Sequence, residues 1–167
     1  GFLYNDKLTS YGTDPNQYGA RLPFARHGST LAPTIAFRGN GAAKRPWFAV
    51  GAAGNAWINA AVYQAVVGMV DLSMGPQRAL EQPRFLPGQR VGPAGREMVI
   101  DIEDGFAPDV IATLRGMGYH FDVVSLKGEL RMGYGSAVML DAGRIRGGGD
   151  PRRAGVAGAL EETARKP

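Results

Sequence analysis

The chain has no cysteine and only two histidines, His27 and His120, among its 167 residues. Without thiols, disulfides, thiolate-bound metals and cysteine nucleophiles are all excluded, and the redox compartment stays open. No Gly-x-Ser-x-Gly elbow occurs, and two histidines alone assemble no Ser-His-Asp set. Metal-ligand spacing is absent too, so neither a metal nor another cofactor is expected. No apolar run approaches the ~20 residues of a membrane span. Charge of either sign is sparse: the net charge is +4, with one basic concentration from Arg144 to Arg153 that reads as a solvated face. A nucleic-acid module would need a binding motif or an aromatic-basic face, and neither is present.

Glycine, by contrast, is abundant. The 25 glycines are about twice the usual ~7% share. They fall between apolar runs rather than in a repeat, which implies tight turns and close backbone approaches. The length fits one domain with a real core, taken as residues 1–167, with a polar tail over 161–167. Residues 1–5 form a short strand candidate, and residues 9–19 a loop rich in Ser, Thr, Asp, Pro, Asn and Gly. Ile58, Ala61, Val62, Ala65, Val66 and Met69 recur at helical spacing, predicting an amphipathic helix over 55–70 with Asn55 near its cap. Residues 75–82 and 108–117 are further helices, each with a proline at its first turn, the second stopped by Gly118. Residues 86–95 read as Pro/Gly loop. Strands are expected at 98–102, 119–124, 136–140 and 143–146, giving an α+β fold with antiparallel sheets.

The most informative stretch runs from Arg26 to Ile58. Residues 31–37 and 47–50 pair as a hairpin across Arg38-Gly39-Asn40-Gly41, since Asn-Gly between apolar runs is a strong turn signal. Gly28-Ser29-Thr30 precedes the first strand and Gly51-Ala52-Ala53-Gly54-Asn55 ends the second. The former offers hydroxyls; the latter offers backbone amides where a helix begins, a natural oxyanion site.

Ser29-Thr30-Leu31-Ala32-Pro33-Thr34 resembles the Ser-Ser-Met-x-Pro-Thr segment of gamma-glutamyltranspeptidases. Gly51 to Asn55 stands where that family has a Gly-x-Pro-Gly-Gly turn, and Pro83-Arg84-Phe85 and Asp150-Pro151-Arg152 follow in order at fitting distances. The ordered set spans Gly1 to about Ala157 and is similar to the C-terminal part of the family's small subunit. This resemblance implies part of the four-layer αββα sandwich of N-terminal-nucleophile hydrolases. It implies an acyltransferase or amidohydrolase of glutathione metabolism that matures by autoprocessing. A cephalosporin- or glutaryl-acylase-like amidohydrolase and a non-catalytic paralogue serving as scaffold are the alternatives.

By resemblance, Ser29 and Thr30 hold the substrate's α-carboxylate, and the amides of Gly54 and Asn55 hold the oxyanion. The family's acceptors for the substrate ammonium fall on Lys7 and Ser10, where the expected glutamine and acid are missing. The family's nucleophile is a threonine freed by autocleavage. No threonine here matches it, Thr9, Thr13 and Thr34 lacking the context, so it is expected upstream of Gly1. Partners implied are the large subunit, the upstream part of the small subunit, and a small gamma-glutamyl or dicarboxylic acyl substrate. Family resemblance points to the periplasm or cell exterior, with the cytoplasm left open.

Overall fold

A computed structural model describes residues 11–92, 95–124 and 133–158. The chain divides into two compact units at the Thr30–Leu31 junction. In the first, residues 11–19 form the expected loop. It is closed by the Gly12 amide donating to Gly19 O (2.8 Å) and the Arg21 amide donating to Gly12 O (3.0 Å), while Tyr11 Oη donates to Ala25 O. The strand candidate at 1–5 and the tail at 161–167 lie outside the described residues.

The second unit begins with β1 (Thr34–Arg38) and β2 (Arg45–Ala53), paired antiparallel so that Thr34 faces Val50. The hairpin forms, but its connection is longer than a two-residue Asn-Gly turn, because Gly41–Ala43 winds into a short 3-10 helix. Helix α1 (Trp57–Val70) follows β2, then α2 (Pro76–Glu81), with Pro76 in its first turn. Later come β6 (Tyr134–Asp141) and β7 (Arg144–Gly149), which complete an antiparallel sheet of order β1-β2-β6-β7. Strand alternation decides which face is covered. Phe48 and Val50 of β2 and Ala137 and Met139 of β6 are buried with Val62, Ala65 and Met69 of α1 and Ala79 and Leu80 of α2. Burying Met69 and Leu80 stabilises by roughly 1.5–3 kcal/mol each. On the opposite face Ile35, Val138, Leu140 and Ile145 stay exposed, Ile145 at 72%.

The second sheet has the order β3-β4-β5, from β3 (Phe85–Gly92), β4 (Gly95–Glu103) and β5 (Phe121–Val124). Here two expectations need correction. Residues 86–92 are strand, not loop: Pro87 sits opposite Ile100 on an edge strand, where a missing N–H breaks no interior ladder. The β4–β5 pair is parallel, because α3 (Pro108–Gly116) intervenes and returns the chain in the same direction. Gly118, at φ +94°, stops that helix as expected.

Two glutamines tie the layers together. Gln64 of α1 accepts from the Phe85 amide (3.1 Å) and donates to Phe85 O (2.8 Å). Gln77 of α2 does the same at Gly149 of β7, accepting at 3.0 Å and donating at 3.1 Å. No described helix is long and apolar enough to cross a membrane.

Candidate active site

The turn between β2 and α1 has unusual backbone. Gly54 sits at φ +129° and Asn55 at φ +55°, two consecutive residues in conformations that favour glycine and tolerate asparagine. The expectation that Asn55 caps the helix is corrected: Ala56 occupies the cap position and no side-chain cap bond forms. Asn55 is instead used for its tolerance of positive φ. The carbonyls of Gly54 and Asn55 accept from the Trp57 and Ile58 amides at 3.2 and 3.1 Å. Among the described residues, the amides of Gly54, Asn55 and Ala56 donate to no protein group. They are available to an anion at the start of a 14-residue helix.

Gly54 is required there for a second reason. A Cβ on it would stand 2.5 Å from the Cα of Gly133, just before β6. A Cβ on Gly133, itself at φ +68°, would in turn stand 3.0 Å from Trp57 O and 3.3 Å from the Ala61 Cβ. The turn therefore rests directly on the backbone that leads into β6.

That backbone is held by a buried cluster of four charged side chains. Arg84 Nη1 donates to Gly133 O (2.8 Å), and its Nη2 donates to Asp150 Oδ2 (2.7 Å) and Leu80 O (3.2 Å). Asp150 Oδ2 also accepts from the Gly135 amide (2.8 Å) and Oδ1 from the Arg152 amide (3.1 Å). Arg152 forms a bidentate pair with Glu103 and donates to Leu80 O and Gln82 O (both 2.8 Å). Glu103 Oε2 accepts the Arg84 amide (2.8 Å). Arg84, Glu103 and Asp150 are at most 2% exposed, yet no buried side-chain polar atom among the described residues lacks a partner. Burial pushes the Asp150 carboxyl up. The Arg84 charge and the donors from Gly135, Arg152 and Arg84 outweigh this and hold it below its ordinary value. Burial, with repulsion from Arg152, lowers the Arg84 guanidinium. For Arg152, burial is overcome by its bonds to Glu103, which raise it.

Of the residues picked out by sequence, Gly54 and Asn55 lie together on this turn. Ser29 and Thr30 belong to the other unit, Ser29 exposed and Thr30 half-buried. Lys7 and Ser10 lie outside the described residues. Arg84, marked in the sequence only as part of the Pro83-Arg84-Phe85 motif, is the hub of the cluster. Glu103 was missed, because nothing in Asp101-Ile102-Glu103-Asp104 marks which acid turns inward.

The mixed α+β fold with antiparallel sheets is part of an αββα sandwich of the N-terminal-nucleophile hydrolase type, as in solved gamma-glutamyltranspeptidases. The sequence profile described as Gamma-glutamyltranspeptidase matches residues 1–160, and the chain belongs to that family. It is 30% identical over 121 residues to the glutathione hydrolase proenzyme of Bacillus subtilis subsp. natto, covering 72% of this chain and 19% of that protein. The chain thus spans about a fifth of that relative's length. Among solved structures, gamma-glutamyltranspeptidase from Pseudomonas nitroreducens superposes with a TM-score of 0.71 at 20% identity, covering 96% of this chain and 83% of that one. Cephalosporin acylase from Bacillus halodurans superposes with a TM-score of 0.75 at 24% identity, covering 92% and 26% respectively.

Proposed function

We propose that this chain is the substrate-gripping and oxyanion-stabilising part of a longer precursor. That precursor would transfer or hydrolyse a gamma-glutamyl or related dicarboxylic acyl group. The observation that carries this reading is the pair of unpartnered amides at Gly54 and Asn55. In acyl transfer, attack on the amide carbonyl places negative charge on its oxygen, and fixed N–H donors lower the barrier to that state. The attacking hydroxyl would come from a threonine outside these residues, its α-amine taking the proton and returning it to the departing amine. The acyl-enzyme then passes its acyl group to water or to a second amine. Ser29 and Thr30 would donate to the carboxylate of the acyl group, as the family resemblance implies.

The exposed face bearing Ile35, Val138, Leu140 and Ile145 supports a second sheet, from the rest of the precursor, as its cover. The purified 167-residue chain is therefore expected to bind an apolar-surface dye and to show no turnover of a chromogenic gamma-glutamyl amide. Turnover by the chain alone would remove the placement of the nucleophile. A monomer that binds no dye would remove the proposed cover.

Substrate choice within this reading turns on Lys7 and Ser10. A gamma-glutamyl donor presents an ammonium beside its carboxylate, and the positions that should accept it carry a cation and a neutral hydroxyl. Like charges ~4 Å apart near a surface repel by up to about 4 kcal/mol before salt screening. The full-length precursor is expected to favour a glutaryl amide, which has no ammonium, over the matched gamma-glutamyl amide. The measurement is kcat/KM for both, with the Lys7→Gln, Ser10→Asp double variant alongside. A gamma-glutamyl preference that the double variant leaves unchanged would show that these positions do not set specificity.

A further inference from the structure

Asp150 is followed by two arginines after Pro151, and they meet opposite fates. Arg152 turns inward to Glu103 and Asp150, whereas Arg153 is exposed, with its guanidinium carbon 3.9 Å from the ring centroid of Tyr134. Stacking on an aromatic face orients a guanidinium while leaving its in-plane N–H donors free. Among the described residues no carboxylate pairs with Arg153. Arg146, on β7, by contrast reaches Asp141 at 3.5 Å. Nor is Arg153 on a loose tail: its amide donates to Asp150 O (3.3 Å), and Asp150 is anchored by Arg84 and the Gly135 amide.

The sheet register places this pair beside the candidate oxyanion turn. Tyr134 faces Ala53, the residue just before Gly54. It lies on the β6 flank of β2, the flank away from β1. Of the other stacked arginines and lysines, Arg38 on Trp47 and Lys44 on Phe37 sit at the hairpin end of β2. Among the described residues, only Arg153 joins a fixed, unpaired cation to the end that carries the free amides.

Resting on the functional reading above, we propose that Arg153, oriented by Tyr134, is a specificity-determining residue. It would bind a carboxylate on the amine side of the substrate, the leaving group or the acceptor. The acyl-side carboxylate already has Ser29 and Thr30 by resemblance, so a second carboxylate is the ligand left for this cation. Length supports a short peptide. Strand spacing of ~4.8 Å and rise of ~3.4 Å put the Tyr134 Cα roughly 7 Å from the Asn55 amide, and the guanidinium is stacked on that residue's ring. An extended dipeptide spans ~7 Å, and a charge-assisted hydrogen bond adds ~2.8 Å.

The test uses the full-length precursor and whichever acyl group, gamma-glutamyl or glutaryl, it turns over faster. Two matched amides of that acyl group are compared, one with glycylglycine and one with glycylglycinamide as the amine. The wild type is expected to favour the free acid by about tenfold to a hundredfold in kcat/KM. Arg153→Ala should erase that ratio while leaving hydrolysis of the corresponding p-nitroanilide, which has no amine-side carboxylate, unchanged. Arg153→Lys should keep part of the preference, and Tyr134→Leu should weaken it. A wild type without acid preference, or an Arg153→Ala variant that retains the full ratio, overturns the inference and leaves the acyl-transfer reading intact. Failure of the wild type on every acyl amide, the p-nitroanilide included, instead overturns the functional reading, and this inference with it.

Discussion

Replacing the Asn55 backbone N–H by an ester oxygen in the full-length precursor is expected to lower kcat about 10²- to 10³-fold while KM changes by no more than a small factor. The donor matters only where charge develops, so its loss falls on the transition state rather than on substrate binding. Side-chain substitution cannot make this test cleanly. A valine at Gly54 would drive its Cβ to 2.5 Å from the Gly133 Cα, in a backbone at φ +129°, so lost activity would report a distorted turn. An ester keeps the chain's shape and removes one hydrogen. An ester at Trp57, whose N–H closes the first helical bond to Gly54 O (3.2 Å), is the matched control. That substitution should lower stability and leave kcat nearly unchanged. Wild-type turnover in the processed Asn55 ester would remove the oxyanion assignment.

How much of this was legible in the residue order depends on how local each signal is. Helix α1 follows from the spacing of Ile58, Ala61, Val62, Ala65 and Met69, all of them buried, and Pro76 and Pro108 mark helix starts through their own fixed geometry. Strand β3 hid because its proline and glycines carry turn chemistry, and only its edge position, a property of the assembled sheet, makes them tolerable. The parallel β4–β5 pair is likewise a matter of topology. Asn55 shows one residue type serving two local needs: asparagine suits both a cap and a left-handed backbone, and the fold uses the second. The charged cluster was half legible. The motifs around Arg84 and Asp150 stood out, but the bond between them spans 66 positions, and no periodic pattern reports a contact at that range.

Arg84→Met in the precursor is expected to cost about 3–5 kcal/mol of stability, because it leaves Asp150 and Glu103 buried with too little positive charge. It would also take from Gly133 O its donor, and from Leu80 O and Asp150 Oδ2 one of two donors each, leaving them Arg152 and the Gly135 amide respectively. The readout is the urea unfolding midpoint of the processed protein against wild type. A midpoint unchanged within error would show that the cluster does not hold the fold. The Asp150 carboxyl supplies a pH signature for the same cluster. Its folded-state pKa lies below its ordinary value. The stabilisation it provides is therefore fully present above the unfolded-chain value of about 3.9 and is lost as pH falls through the lower folded value. Asp150→Asn removes that ionisation but keeps the shape and one acceptor. The gap in stability between wild type and Asp150→Asn should be widest near neutral pH and narrow steadily below about pH 4, as wild-type Asp150 takes up its proton. A gap that stays constant down that acid limb would mean the charge on Asp150 contributes nothing beyond its hydrogen-bond geometry.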